Sequence, residues 1–454
     1  MLIVTVFVPT VIAGGEPADW VSCYQPGTTS VQRPEWVRNR IKMRVTRRDF
    51  VRHALVGVAA FAGGAVAARY IPGATVVEYG RRHRLAITEA LVEMVDRKSV
   101  YHWAFEDLNQ LKPQPQMPGP LIQAVEGEEI ELSVTNTLPG VHGFRIPGLP
   151  GEAGAGVVIG PGETKIISFH AARAGSYMYF DHLNEPVNRV LGLHGPMVVL
   201  PKSGNTPYTS PTPAVQKLFN DLGQTAHFPG ERWVPERNRI WLFNSIDPGF
   251  NEMAQKGQPI DARQFTASFL PRYFTINGLS GAYASHDHSV FASGRIGQPH
   301  VIRLMNAGMA WHSPHLHGNH FYVLAKVDES LDNQVVQENA LHIDTITVKP
   351  RERLDWLLPF ARPLDIPGDP SIPLRDLLRT ELSLTVGGVA QSPLAYPMHC
   401  HMEMSQTAAG GNYPQGLVTG WRITGDLDGV DFAPSSPGEK KGGINQENHS
   451  GGGR

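Results

Sequence analysis

Cysteine is almost missing from this chain: two residues, Cys23 and Cys400, occur in 454. Two thiols cannot build a disulfide framework, so the fold has to rest on ordinary cores, and Cys400 reads better as a ligand than as a staple. A surplus of one charge sign is lacking too. The 40 Lys and Arg nearly cancel 42 Asp and Glu, for a net of −2, which leaves no electrostatic footprint for nucleic acid. Long hydrophobic runs are also scarce. The apolar stretch from Ala54 to Ala68 is too short and too rich in Gly and Ala to read as a membrane span. What the chain does have is 47 Gly and 37 Pro, a turn-rich composition that favours β structure over helix. Its length allows two or three domains with separate cores.

Thr46-Arg47-Arg48-Asp49-Phe50-Val51-Arg52 precedes that small-residue run. The order of a basic start, a moderate apolar segment and Ala-rich residues resembles a twin-arginine export signal, with an ordinary N-terminal anchor helix as the alternative. Residues 1–42 lack a periodic pattern and would bury the signal in mid-chain. The expectation is therefore that translation starts at Met43, that 1–42 are a start-site artefact, and that 43–70 form the signal region. Cys400 is then the only thiol of the mature chain, which would carry no stable membrane span. Its destination would be the periplasm, the cell envelope or the exterior.

Residues 86–202 read as one β domain. Glu129–Thr135 alternates with period two, and Thr164–Phe169, Ser176–Phe180 and Pro196–Leu200 are short strands between Gly/Pro turns. That spacing suggests a sandwich. Residues 203–236 read as a linker with a short helix near Val215–Leu222. A second β domain is expected over 237–426, with strands at Arg239–Ser245, His300–Asn306, His320–Leu324, Thr345–Val348, Arg353–Leu358 and Leu417–Thr424. Phe360–Leu378 reads as an insertion, and the Gly-, Ser- and Glu-rich tail 427–454 as disordered. The expected class is all-β.

Two short segments carry the chemistry: His312-Ser-Pro-His315-Leu-His317-Gly and His399-Cys400-His401. Alternate strand residues share a face, so His315 with His317 and His399 with His401 would project imidazoles to one side. Cys400 would point the other way, toward His312. Imidazoles suit copper or zinc, and a lone thiolate beside imidazole is an electron-transfer copper environment. Polar residues at a sheet edge are the plainer alternative.

These segments, with Met398 and Gly318-Asn-His320-Phe321, resemble the copper motifs of multicopper oxidases, laccase-like proteins built from cupredoxin domains. Residues Gly119-Pro-Leu-Ile122, Val141-His142-Gly143, Tyr177-Met-Tyr179-Phe180-Asp181-His182 and Gly192-Leu-His194-Gly195-Pro196 match in outline. The resemblance implies two cupredoxin-like Greek-key β-sandwich domains. It also implies a three-copper cluster held by His142, His182, His315, His317, His399 and His401, and a type 1 copper on His312 and Cys400, the pair that would carry catalytic electron transfer. Copper is the implied cofactor. The set is depleted: Gly140 and Phe180 stand where histidines are expected, Ser405 replaces the second type 1 histidine, and Gly410 the axial Met. One copper on His182, His317 and His399 is the economical expectation. Met402 and Met404 are alternative thioether ligands or plain core residues. His194 and His320 read as supporting or surface residues, and His286 with His288 as loop residues.

The implied function is an exported copper-dependent oxidoreductase with an incomplete trinuclear cluster and a small-molecule or metal-ion electron donor. The alternative is a non-catalytic scaffold or a copper-sequestering protein. Two-domain relatives place copper between subunits, so the resemblance implies a homotrimer.

Overall fold

The computed structural model describes residues 82–329, 335–364, 372–376 and 394–432. The expectations for 1–42, for 43–70, for much of the insertion and for most of the tail fall outside them. Two β-sandwiches follow one another along the chain, as the strand pattern implied. In the first, a five-stranded sheet runs in the order Pro115–Gln116, Ser99–Asp107, Arg82–Glu93, Glu129–Asn136, Thr164–His170. It faces a three-stranded sheet of Ile122–Val125, His194–Leu200 and Gly175–Phe180. Period-two alternation drives this packing: Ile130, Leu132 and Val134 are buried while their neighbours reach toward solvent. Between the sheets they meet Phe105, Tyr179, Met197 and Val199.

The second sandwich has a six-stranded sheet in the order Tyr273–Ile276, Asn238–Ile246, His300–Asn306, Arg353–Leu358, Phe321–Val327, Val335–Ile343. A four-stranded sheet of Ala292–Gly294, Val418–Ile423, Leu394–Cys400 and Pro314–Leu316 covers it. Trp241, Trp356 and Trp421 fill the space between them. His300–Asn306 and Arg353–Leu358 are the strands expected from the sequence. The expected strand Thr345–Val348 is instead two isolated bridges, Thr345 to His315 and Val348 to His312, so this segment lies alongside the histidine motif.

The connecting segment contributes a helix, Pro213–Asp221, capped by Thr212. Its Val215, Leu218 and Phe219 pack on Val301, Leu324 and Leu357. Buried polar contacts join the sandwiches. Ser176 donates to Asp355 Oδ1 at 2.5 Å, Arg353 Nη1 to the Pro147 carbonyl at 3.2 Å, and Arg189 Nη1 to the Gly308 carbonyl at 3.1 Å. Each links groups already out of water, where an unmade hydrogen bond is costly, so the contacts fix how the two halves meet. No helix among the described residues is long and apolar enough to cross a membrane.

Candidate metal centre

Strand register builds the centre. Pro314–Leu316 pairs antiparallel with Leu394–Cys400, setting His315 opposite His399 and Pro314 opposite Cys400. Four imidazoles gather as a result. Ring centroids are 4.7 Å apart for His315 and His317, 4.6 Å for His315 and His401, and 5.1 Å for His317 and His399. One ligand atom each from His315, His399 and His401 lies within 4.8 Å of the others, the geometry of a three-imidazole metal site. His317 Nε2 lies 3.0 Å from His399 Nε2. The strand end is held by the Trp421 indole donating to the His317 carbonyl at 2.8 Å. Gly318 follows at φ +77°, and a Cβ there would stand 2.6 Å from the Tyr396 ring, so only glycine lets the chain leave the motif at this angle.

The tautomers suit a metal. His315 Nδ1 meets the Thr345 hydroxyl at 2.7 Å and the Asp344 carbonyl at 3.2 Å. Used as a donor there, Nδ1 leaves Nε2 with its lone pair. Burial pushes the pKa of His315 below the ordinary value, against the pull of Asp344, and the neighbouring His317 and His401 add to the fall. His399 is lowered by burial first, then by the same crowding of imidazoles. Neutral imidazoles are the metal-binding form.

The first-sandwich histidines form a separate pair. His142 is buried, with Nδ1 at 2.7 Å from Asp181 Oδ2 and the Trp103 ring edge-on at 5.2 Å. The fully buried Asp181 also accepts from Gly143 N, Leu183 N and Asn188 Nδ2, each at 2.8 Å. His182 packs so tightly that a Cβ on Gly143 or Gly156 would stand 2.7 Å from its ring. Burial lowers its pKa, and its Nδ1 is buried without a partner. Among the described residues, no hydrogen bond, ring contact or electrostatic interaction joins His142 or His182 to the four histidines of the second sandwich. The expected trio of His182, His317 and His399 is therefore not assembled within one chain. Cross-strand register substitutes His315, His399 and His401. Gly140 offers only its carbonyl, taken by Asn136 at 2.7 Å. Phe180 spends its position on packing against Leu242 and Met305.

On the opposite face, Cys400 is fully buried, with Sγ 3.6 Å from His312 Nδ1. Two ligands at roughly 2.3 Å (sulfur) and 2.0 Å (imidazole) from one tetrahedral ion stand about 3.6 Å apart, so this pair could grip a metal. His312 Nε2 is buried without a partner, Phe243 and Phe274 sit edge-on to the ring, and burial pushes its pKa down to about 3. The rest of a type 1 set does not fit. Ser405 is buried, but its hydroxyl donates to the Met402 carbonyl at 2.7 Å. The chain turns at once into the 3-10 helix Glu403–Gln406, which leaves Met402 38% and Met404 52% exposed. Neither is a core residue, and neither supplies a thioether to Cys400. Burial holds the Cys400 thiol above its ordinary pKa. This favours the thiol over the thiolate that a metal takes.

Other histidines separate from the site. His194 is fully buried, its Nδ1 on the Arg189 carbonyl at 2.7 Å. His320 faces His342 at 5.1 Å. His286 closes a short helix and His288 is exposed. Sequence reasoning missed Asp181 and Thr345, the two groups that orient His142 and His315. Asp181 had a signal, being an acid flanked by Phe180 and His182 on a buried strand end, whereas Thr345 is placed only by the tertiary bridge.

Two segments, residues 112–204 and 258–359, match multicopper oxidase family models. They contain His142, His182, His312, His315 and His317 but stop short of His399-Cys400-His401. The chain is 22% identical over 244 residues to a copper-containing nitrite reductase of Rhizobium sullae, covering 52% of this chain and 59% of that one. It is 25% identical over 177 residues to a copper-containing nitrite reductase of Cereibacter sphaeroides, covering 37% and 43%. An L-ascorbate oxidase of Nicotiana tabacum is 36% identical over 94 residues, 18% of this chain and 16% of that one. The chain thus spans about half or less of these relatives' length. A solved structure, the blue copper oxidase of Nitrosomonas europaea, aligns with a TM-score of 0.52 at 21% identity, covering 75% of this chain and 85% of that one. At that identity the likeness is one of fold.

Proposed function

The chain belongs to the multicopper oxidase superfamily, and from that premise we propose that it is an exported copper-dependent oxidoreductase with an incomplete trinuclear cluster. The observation that carries the proposal is the convergence of His315, His399 and His401 to within 4.8 Å. Copper held there supplies a one-electron redox centre with imidazole donors. The residues do the rest. The Asp344 carbonyl favours Nδ1–H on His315 and Thr345 holds the ring there, register sets His399 opposite it, and His317 stands beside His399 as a fourth imidazole. Exposed His317 and His401 leave one side of the centre open to a small-molecule or metal-ion donor.

His142 and His182 sit oriented but apart from this group, as half-sites would in a homotrimer where one protomer's first sandwich faces its neighbour's second. Gly140, Phe180 and Ser405 argue against complete four-electron reduction of oxygen. They favour a second reading, in which the protein holds copper without turnover. Export rests on the Arg47-Arg48 segment.

Metal analysis of the copper-reconstituted protein, with the visible spectrum and steady-state oxidation of a one-electron donor, tests both readings. We expect bound copper that is lost in His399→Ala, no strong band near 600 nm (the blue-copper class), and donor oxidation that disappears in the same variant. Bound copper without turnover selects the sequestering alternative. A protein that takes up no copper sinks both.

A further inference from the structure

The edge of the six-stranded sheet carries a second gathering of imidazoles. Phe321–Val327 pairs antiparallel with Val335–Ile343, which sets Tyr322 opposite His342. His320, two residues before Tyr322, therefore comes diagonal to His342 on the same face, within reach of an aromatic side chain. The two rings meet there, 5.1 Å apart between centroids and 48° between planes. His399 and His401, two of the copper-centre trio, are likewise 5.1 Å apart, and His317 and His399 stand at 5.1 Å and 47°. Two imidazoles that share one tetrahedral ion through bonds of about 2.0–2.1 Å have centroids about 5 Å apart, so the spacing fits a shared metal.

Among the described residues, no hydrogen bond or ion pair engages a ring nitrogen of His320 or His342. His342 stacks on Tyr322 at 4.2 Å and 12°, and Tyr322 in turn meets Phe228 of the connecting segment edge-on at 5.7 Å. A ring held by stacking has little freedom left to lose when it takes a ligand. Desolvation lowers the pKa of His342, and the neighbouring His320 and His227 add to the fall. Neutral imidazole is the form a metal binds. His342 is exposed and His320 half-buried, so an ion has access from solvent. No ring contact or electrostatic interaction joins either residue to His315, His317, His399 or His401 among the described residues.

We propose that His320 and His342 chelate a divalent transition-metal ion, zinc or copper, at this sheet edge, with water filling the remaining positions. The ion joins the start of one strand to the end of the next. It thereby fastens the outermost strand of the sheet and stabilises the native state.

The test is calorimetric titration of the full-length copper-loaded protein with zinc chloride. One zinc per chain should bind beyond the copper already held, and calcium, which seeks oxygen ligands, should not. His342→Ala and His320→Gln should each weaken zinc binding about tenfold or more, because each leaves a single donor where two act together. Both side chains reach solvent, so both variants should fold. The zinc that depends on His342 should persist in His399→Ala, which separates this site from the copper centre. No zinc bound beyond the copper centre, equal uptake of calcium, or an affinity unmoved by either variant overturns the proposal.

Discussion

Replacing Thr345 with valine deletes one hydroxyl and little else, and it isolates one of the two partners that orient the His315 ring. In the native chain the hydroxyl stands 2.7 Å from His315 Nδ1, closer than the Asp344 carbonyl at 3.2 Å. The backbone bridge between Thr345 and His315 survives the change. What is lost is the nearer of two partners that hold the ring at Nδ1, while the Asp344 carbonyl, which can only accept, remains to favour Nδ1–H and a free Nε2. Outer partners of metal-bound histidines are typically worth about 10–100-fold in metal affinity, or about 1.4–2.7 kcal/mol. The hydrogen bond itself, at a half-buried site, contributes about 1 kcal/mol or less to folding. Copper affinity should therefore fall by one to two decades (about 10–100-fold) while the metal-free unfolding midpoint hardly moves. Competition against a chelator of known copper affinity measures the first quantity, and denaturant unfolding the second. An affinity within about threefold of the parent, well short of the range above, would refute the idea that Thr345 orients a metal ligand.

Cys400→Ser should leave copper content and visible spectrum unchanged, because Ser405, Met402 and Met404 do not complete a site around the thiol; loss of a band near 600 nm in this variant would reverse that conclusion. Its cost should appear in stability, about 1–2 kcal/mol for a hydroxyl in a fully buried thiol's place, read from the denaturant midpoint. Gly143→Ala puts a methyl 2.7 Å from His182 and 2.8 Å from Asp181, and should destabilise the protein by about 1–3 kcal/mol without moving copper affinity at the second sandwich. His102, His194 and His312 are held neutral by burial, with pKa values near 4, 3 and 3. Their folded pKa values lie below the unfolded value of about 6.5, so the unfolded chain takes protons first as pH falls. Stability present above pH ~6.5 should drain away between ~6.5 and ~3, at up to about 1.4 kcal/mol per pH unit for each histidine. A flat midpoint from pH ~6.5 to ~4 would contradict their burial as neutral groups.

Much of the fold could be read from period-two strands and Gly/Pro punctuation, because half-buried strands such as Glu129–Asn136 announce their inner face. Helices such as Pro248–Gln255 and Ala262–Ser268 escaped, being short and set among turn residues. The second-sandwich candidate ligands were visible because alternation alone sends His315 and His399 to one face and Cys400 to the other. Which three imidazoles converge was not visible. That depends on the register between Pro314–Leu316 and Leu394–Cys400, and on the side of the fold to which Asp181 and two glycines pin His142 and His182. The fate of Met402 and Met404 turned on a 3-10 turn that strand periodicity cannot foresee.

Anomalous scattering at the copper edge from crystals of the copper-loaded protein locates the metal without reference to activity. The account predicts a peak within bonding distance of His315, His399 and His401. A peak between Cys400 and His312 with none among those three imidazoles would contradict it.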